Sequence, residues 1–402
     1  MTSVWALAAL WLGLALIASL LSIWFRVSTA LSEIVVGTIA QLIIGAVIGQ
    51  AVLGTDESWV KFLSGIGAIV LTFLAGAELD PAVFKLKWKE AAAVGLASFL
   101  FPFLGCAAAA YYVLGWEPMP SWLAGVAMST TSVAVVYAVM LEFGFNRTEY
   151  GKTVLAACFV TDLGTVVALG LIFAPFTFKT LVFLVVGAVV FFILPWLTPR
   201  FFKLYGNRPS ELETKFLLLC LLGMGALASW ADSEAVLPAY LAGTVGKDHA
   251  LIRRLRTLTF GLLTPFYFIR AGSFVSIPAL VAAPAAFLFF LAVKIGTKIV
   301  GVYPVTKLFS APNKEAMYTT LLMSTGLTFG TISALFGLSH GIIDQAQYSS
   351  LVATVIASAV IPTVIANALY LPRHLLPTTR LKEVSMETSE RPGALAASEQ
   401  AE

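Results

Sequence analysis

Runs of about twenty apolar residues, the length of α-helix that crosses the hydrocarbon of a bilayer, follow one another along this 402-residue chain from Val4 to Leu371. Only 12% of its residues are charged, about half of what a soluble domain carries. Inside lipid the backbone must bond to itself, which runs of this length do as helices. The sequence therefore specifies an all-α polytopic membrane protein. Charged or Pro/Gly-rich breaks divide it into about thirteen transmembrane segments: Val4–Phe25, Ser32–Leu53, Trp59–Leu79, Ala91–Leu114, Trp122–Leu141, Thr153–Phe173, Leu181–Leu197, Lys215–Trp230, Val236–Val245, Leu258–Phe274, Pro278–Val305, Ala316–Leu338 and Leu351–Leu371. The first ends at Trp24-Phe25-Arg26 with no basic leader and no small-residue cleavage site, so it reads as a retained span.

The net charge of +3 is too small for a nucleic-acid surface, and the placement of the basic residues says more. With the N-terminus outside, 20 of the 25 Lys and Arg residues fall on the cytoplasmic side, Lys85, Lys87, Arg253, Arg254 and Arg256 among them, whereas only Lys61 and Lys179 fall outside. Short cytoplasmic loops collect basic residues. The expectation is a multi-pass protein of the inner (plasma) membrane, N-terminus outside and C-terminus cytoplasmic. Residues 1–372 form the transmembrane unit, and the polar stretch 373–402 reads as a disordered cytoplasmic tail. Cys106, Cys158 and Cys220 lie in apolar runs without CxxC spacing, and His249, His340 and His374 have no metal-ligand spacing and read as solvated groups of loops and tail. Neither a disulfide framework nor a cofactor is indicated.

Asp162 breaks the rule that acidic residues stay at span ends. It sits near the middle of the sixth segment, where an Asp opposes insertion by about 2.5 to 3.5 kcal/mol, so it should face a bundle interior and carry function. Glu33, Glu78 and Asp80 lie nearer span ends and read as interfacial anchors, with Glu78 a weaker candidate. Lys294 and Lys298, four residues apart in the eleventh segment, share one helical face. They call for an anion, and an Asp162–Lys pair is the economical answer. Snorkelling to the interface accounts for one of them, Lys298, but not for both. Arg270 reads as a snorkelling or structural residue.

Segment five contains Met128-Ser-Thr-Thr-Ser132 and segment twelve contains Met323-Ser-Thr-Gly-Leu-Thr328-Phe-Gly330. Ser and Thr hydroxyls can bond backbone groups freed where a helix unwinds, and Gly326 and Gly330 loosen the second stretch. Both read as broken helices. They are seven spans apart and so cross in opposite directions, as elements of an inverted repeat do, and transporters build midplane ion sites there. Ser324, Thr325, Gly326 and Thr328 mark the second break.

With these residues in view, the chain resembles the monovalent cation:proton antiporter superfamily, in the bacterial branch of Kef-type potassium exchangers and sodium/proton antiporters. Phe73-Leu-Ala-Gly-Ala-Glu78-Leu-Asp80, Leu237-Pro-Ala-Tyr-Leu-Ala-Gly243 and Leu321-Leu-Met-Ser-Thr-Gly-Leu-Thr-Phe-Gly330 carry the resemblance. It implies inverted repeats with two crossed, broken helices, a homodimer, and interleaved dimer and core subdomains. It also implies that Asp162 is the cation and proton site, with Thr130, Thr131 and Ser132 as oxygen ligands and Cys158 lining the site. The family carries Asp, Asn or Gln before this carboxylate, whereas this chain has Thr161. The family's core lysine falls on Lys298 by its Lys-Ile-Val-Gly pattern, with Lys294 as the alternative on depth.

The expected activity is secondary-active exchange of Na+ or K+ for H+ by competition at one buried Asp, electroneutral at one to one, serving pH homeostasis by alternating access. A sodium-coupled organic-anion symporter or a cation channel on a similar scaffold is the alternative. No GxSxG, His cluster or paired deep carboxylates point to an enzyme.

Overall fold

Backbone amides in hydrocarbon have no water to bond, and among the described residues every regular element is helical. The computed structural model describes residues 4–25, 28–47, 53–77, 81–173, 177–205, 211–231, 249–282 and 284–376. Glu78, Asp80, the Leu237–Gly243 stretch, the ninth expected segment and the tail beyond 376 lie outside the described residues. In chain order the α-helices are α1 (Val4–Phe25), α2 (Thr29–Val47), α3 (Ser58–Ala77), α4 (Pro81–Tyr112), α5 (Pro118–Ser129), α6 (Val133–Glu142), α7 (Glu149–Phe173) and α8 (Phe178–Tyr205). They continue as α9 (Leu212–Trp230), α10 (His249–Leu258), α11 (Thr264–Ser273), α12 (Ile277–Ala282), α13 (Pro284–Leu308), α14 (Asn313–Met323), α15 (Thr328–Ser339) and α16 (Gln345–Ile365). Two π-helical turns, Thr259–Leu263 and Ala366–Tyr370, join α10 to α11 and extend α16.

Seven helical stretches among the described residues are long and apolar enough to cross a bilayer, and the bent α8 makes an eighth. Thr29–Ile43 and Ser58–Leu74 are shorter apolar helices. The chain is a multi-pass helical membrane protein, but this tally stops short of thirteen. Part of the reason is local: α5 and α6 are twelve and ten residues long, too short to span singly.

Packed groups of side chains organise the bundle. The largest gathers Phe99, Phe103, Leu123, Met128, Val166, Phe290, Leu327, Tyr348 and Val355 from α4, α5, α7, α13, α16 and the break before α15. Around α1, α3 and α11, Trp11 stacks on Phe266 with ring centroids 5.3 Å apart. Ile34, Tyr267, Phe268 and Ala271 join the larger core from α2 and α11, so a continuous seam connects the groups. Trp5, Leu16 and Trp24 on α1 point outward, 86%, 64% and 73% exposed, as suits a face set in hydrocarbon.

Several interfacial readings change. Glu33 is buried at 1% exposure because α2 packs against α11, and among the described residues its Oε2 has no hydrogen-bond partner. Neither Lys294 nor Lys298 snorkels: both are fully buried, since α13 lies between α4 and α14. Arg270 is structural, donating to the Thr55 carbonyl at 2.9 Å and lying over the Phe274 ring. His374 is tied rather than simply solvated, its Nε2 lying 2.7 Å from Glu315 Oε1.

Candidate functional site

A helix end leaves carbonyls without amide partners, and hydroxyls supply them at both breaks. At the end of α5, the Ser129 hydroxyl donates to Val126 O at 2.7 Å and the Thr130 hydroxyl to Ala127 O at 3.2 Å. Thr130 is extended, with φ −62° and ψ 151°, and Ser132 then starts α6 by accepting Val135 N at 3.3 Å, an N-cap. At the end of α14, the Ser324 hydroxyl donates to Thr320 O at 2.8 Å and the Thr325 hydroxyl to Leu322 O at 2.7 Å. The breaks are therefore written into the side chains at residues 130–132 and 324–327.

The two breaks meet. Thr131 donates to Met323 O at 2.9 Å, and Ser132 N donates to Thr325 Oγ1 at 3.4 Å. A Cβ on Gly326 would strike Lys294 Nζ and Thr130 Oγ1, and one on Gly330 would lie 3.0 Å from Ala127 O. Glycine is required at the second break for space rather than for an unusual φ.

Asp162, 1% exposed, looks onto this crossing from α7. Cys158, Asp162 and Thr165 lie on one broad face of that helix. The Cys158 thiol lies 3.5 Å from Met323 Sδ, and Thr165 Oγ1 lies 3.1 Å from Ser129 Oγ. The carboxylate is thus bracketed by contacts to the ends of both α14 and α5. Thr161 turns to the side, its hydroxyl 3.1 Å from both Gly95 O on α4 and Ala157 O. That hydroxyl fastens α7 to α4.

Lys298 occupies the C-terminal end of α5, where the dipole favours a cation. Lys298 donates to Ser98 Oγ at 2.7 Å, Ser129 O at 3.0 Å and Thr131 Oγ1 at 3.1 Å. Asp162 acts on Lys298 electrostatically. Lys294 Nζ lies beside Gly326 and, among the described residues, has no hydrogen-bond partner. Of the candidate residues, Thr130, Thr131, Ser132, Cys158, Lys294, Lys298, Ser324, Thr325 and Gly326 gather here with Asp162, while Thr328 opens α15 half-buried.

Ser98, Ser129 and Thr165 are members of the cluster that sequence reasoning missed. Thr165 is three residues past Asp162 and Ser129 immediately precedes Thr130, so helical spacing could have found both. Ser98, in an apolar stretch of α4, carries no such signal.

Two cavities approach from the ends of the bundle. One of about 240 Å³ is lined by Glu90, Glu149, Glu315, Tyr150, Thr153, Val94 and Ala157 among others, so its floor touches α4 and α7 one turn from Thr161. Another of about 680 Å³ is lined by Asp56, Glu57, Ser273 and Gln345 among others. Asp162 lines neither of the two. Among the described residues no group of three His, Cys, Asp or Glu side chains could hold a metal ion, so an ion here would rest on one carboxylate with hydroxyl and carbonyl oxygens.

Residues 9–369 match the family model described as sodium/hydrogen exchanger, transmembrane. The chain is 28% identical over 349 residues to a Na(+)/H(+) antiporter of Enterococcus hirae, covering 81% of this chain and 90% of that protein. It is 23% identical over 344 residues to the Na(+)/H(+)-K(+) antiporter GerN of Bacillus cereus, covering 80% and 87% respectively. The structure of the sodium proton antiporter MjNhaP1 from Methanocaldococcus jannaschii superimposes with a TM-score of 0.65 at 16% identity, covering 91% of this chain and 97% of that one. At that identity the likeness is one of fold.

Proposed function

The chain belongs to the sodium/hydrogen exchanger family and is a transporter of cations against protons rather than an enzyme, and from that premise we propose that Asp162 is the single site at which the two ions compete. The observation that carries this reading is the position of Asp162: a buried carboxylate between contacts to the ends of two broken helices. A dehydrated Na+ or K+ needs oxygen ligands, and Thr130, Thr131, Ser132, Ser324 and Thr325 supply hydroxyls and freed carbonyls within that crossing. Cys158 lines the site, and Lys298 balances the carboxylate through the shared Ser129–Thr131 edge.

Either a proton or an alkali cation neutralises the carboxylate, and the neutralised core then moves against the remaining helices. The empty state does not move, because its carboxylate would cross the bilayer without a bound ion. The smaller cavity, lined by Glu90, Glu149 and Glu315 together with Lys87 and reaching Ala157 one turn from Thr161, is the approach we assign to cations. With one titrating carboxylate the exchange is one to one and electroneutral, which accords with Thr161 offering no second charge. A relative described as a Na+/H+-K+ antiporter keeps both alkali ions as substrates. The working form is a homodimer of thirteen-span protomers in the plasma (inner) membrane, N-terminus outside and C-terminus cytoplasmic, with the basic collar of its loops on the cytoplasmic side, and it serves pH homeostasis.

The test uses proteoliposomes loaded with a pH-sensitive dye. Addition of Na+, K+ or Li+ should dissipate an imposed pH gradient in wild type, with no transient current on a solid-supported membrane, and Asp162→Asn should abolish the response. Undiminished cation-driven proton flux in Asp162→Asn would remove the centre of the proposal.

A further inference from the structure

An ammonium has three N–H bonds to give, and Lys298 gives all of them to oxygen: Ser98 Oγ at 2.7 Å, Ser129 O at 3.0 Å and Thr131 Oγ1 at 3.1 Å. None is left for Asp162, which acts on the ammonium electrostatically. Two of the three acceptors belong to the end of α5 and the break that follows it. The third, Ser98, comes from α4 and makes the shortest bond.

Ser98 is fully buried, and its surroundings fix which way its hydroxyl points. Thr131 spends its one hydroxyl hydrogen on Met323 O at 2.9 Å. Between Ser98 and Thr131, whose oxygens are 3.3 Å apart, Ser98 is therefore the donor. Hydrogen bonds run in one direction from Lys298 to Ser98, from Ser98 to Thr131 and from Thr131 to the end of α14. The helices on either side are held closely enough to keep this order. A Cβ on Gly95, three residues before Ser98, would lie 2.6 Å from Ala157 O on α7, and one on Gly301, three residues past Lys298, would lie 2.6 Å from the Phe101 side chain on α4. Ser98 is thus set by backbone packing against both the helix of Asp162 and the helix of Lys298.

Taking Asp162 as the ion site, as proposed above, we propose that Ser98 is a positioning residue of the exchange: it holds the Lys298 ammonium at the end of α5 and so keeps Asp162 open to the incoming cation. A buried N–H without an acceptor is costly, and a carboxylate is a stronger acceptor than a hydroxyl. Without the Ser98 oxygen the ammonium gains by turning toward Asp162, and a cation then has to displace it. Ser98 acts through Lys298 rather than on the ion.

Wild type, Ser98→Ala, Ser98→Gly, Ser98→Thr and Asp162→Asn are compared in proteoliposomes by the dye response to graded Na+. Ser98→Ala should raise the half-saturating Na+ concentration about tenfold, the factor carried by one charge-assisted hydrogen bond, at an unchanged maximal response. Ser98→Gly also lacks the oxygen and should repeat the shift if the alanine variant fails to fold, whereas Ser98→Thr keeps the oxygen and should stay near wild type. The rise of the unfolding midpoint with Na+ in neutral detergent reads binding without transport. By that measure Ser98→Ala should weaken Na+ binding in the wild-type background and leave it unchanged in Lys298→Met, which has no ammonium to hold. Unchanged half-saturation in both oxygen-free variants overturns the proposal, as does an equal weakening in the Lys298→Met background. Asp162→Asn keeps the two readings apart. Exchange that survives in it removes the ion site, whereas its silence beside a Ser98→Ala variant that matches wild type removes only the role of Ser98.

Discussion

Lys294 and Lys298 are both fully buried, yet replacing each with methionine should move stability in different directions. Lys298→Met keeps the apolar stem and removes an ammonium that makes three hydrogen bonds. The Ser98 and Thr131 hydroxyls remain 3.3 Å apart, and Thr131 still donates to Met323 O. The group left without its donor is the Ser129 carbonyl, a loss of about 1–3 kcal/mol. Removing this cation also leaves the buried Asp162 carboxylate without the charge that acts on it, and breaking a buried charge pair costs about 3–5 kcal/mol. The expected net destabilisation is about 3–5 kcal/mol, or roughly 6–10 °C in the unfolding midpoint. Among the described residues Lys294 has no hydrogen-bond acceptor to leave behind. Its replacement should leave stability unchanged or raise it, because an unpaired buried charge is costly to bury. Thermal unfolding of the detergent-purified variants gives the order Lys294→Met at or above wild type, with Lys298→Met below it. The reverse order, or equal losses, would refute the reasoning that acceptors decide how each buried lysine is tolerated.

The proposed competition at one carboxylate also fixes a pH dependence. As pH falls the proton occupies Asp162 more, so the half-saturating cation concentration should rise, approaching tenfold per pH unit, while the maximal dye response stays constant. A maximal response that falls while half-saturation stays fixed counts against a shared site. Ser132→Ala removes the hydroxyl that accepts Val135 N and should lower stability by about 1 kcal/mol. Ser132→Asn should restore most of that loss in the same unfolding assay.

Asp162 and the two breaks were legible in the sequence because each violates a strong local rule: a carboxylate in an apolar span, and clustered hydroxyls where helix formers should stand. The multi-pass helical character followed from the length of the apolar runs. Other features depended on how helices roll against one another. Thr161 and Asp162 are adjacent in sequence but about 100° apart around α7, and only the packing of α4 against α7 shows that Thr161 bonds Gly95. For Lys298 the sequence leaves both a core and a snorkelling position open, because its stem can reach an interface. The tertiary contacts instead provide Ser98, Ser129 and Thr131 as acceptors, and Ser98 comes from a helix some two hundred residues away. Glu33 was placed near a span end by counting residues, but burial depends on the neighbouring helix.

The Cys158 thiol, fully buried against Met323 and one helical turn from Asp162, gives the proposed ion site a native chemical clock. Thiol alkylation requires both a water-borne reagent and a thiolate, so a membrane-impermeant maleimide reacts with Cys158 only in conformations that hydrate the crossing. With Cys106 and Cys220 replaced, the side of a vesicle from which labelling proceeds reports which face the site has opened to. Its rate reports how often that opening occurs.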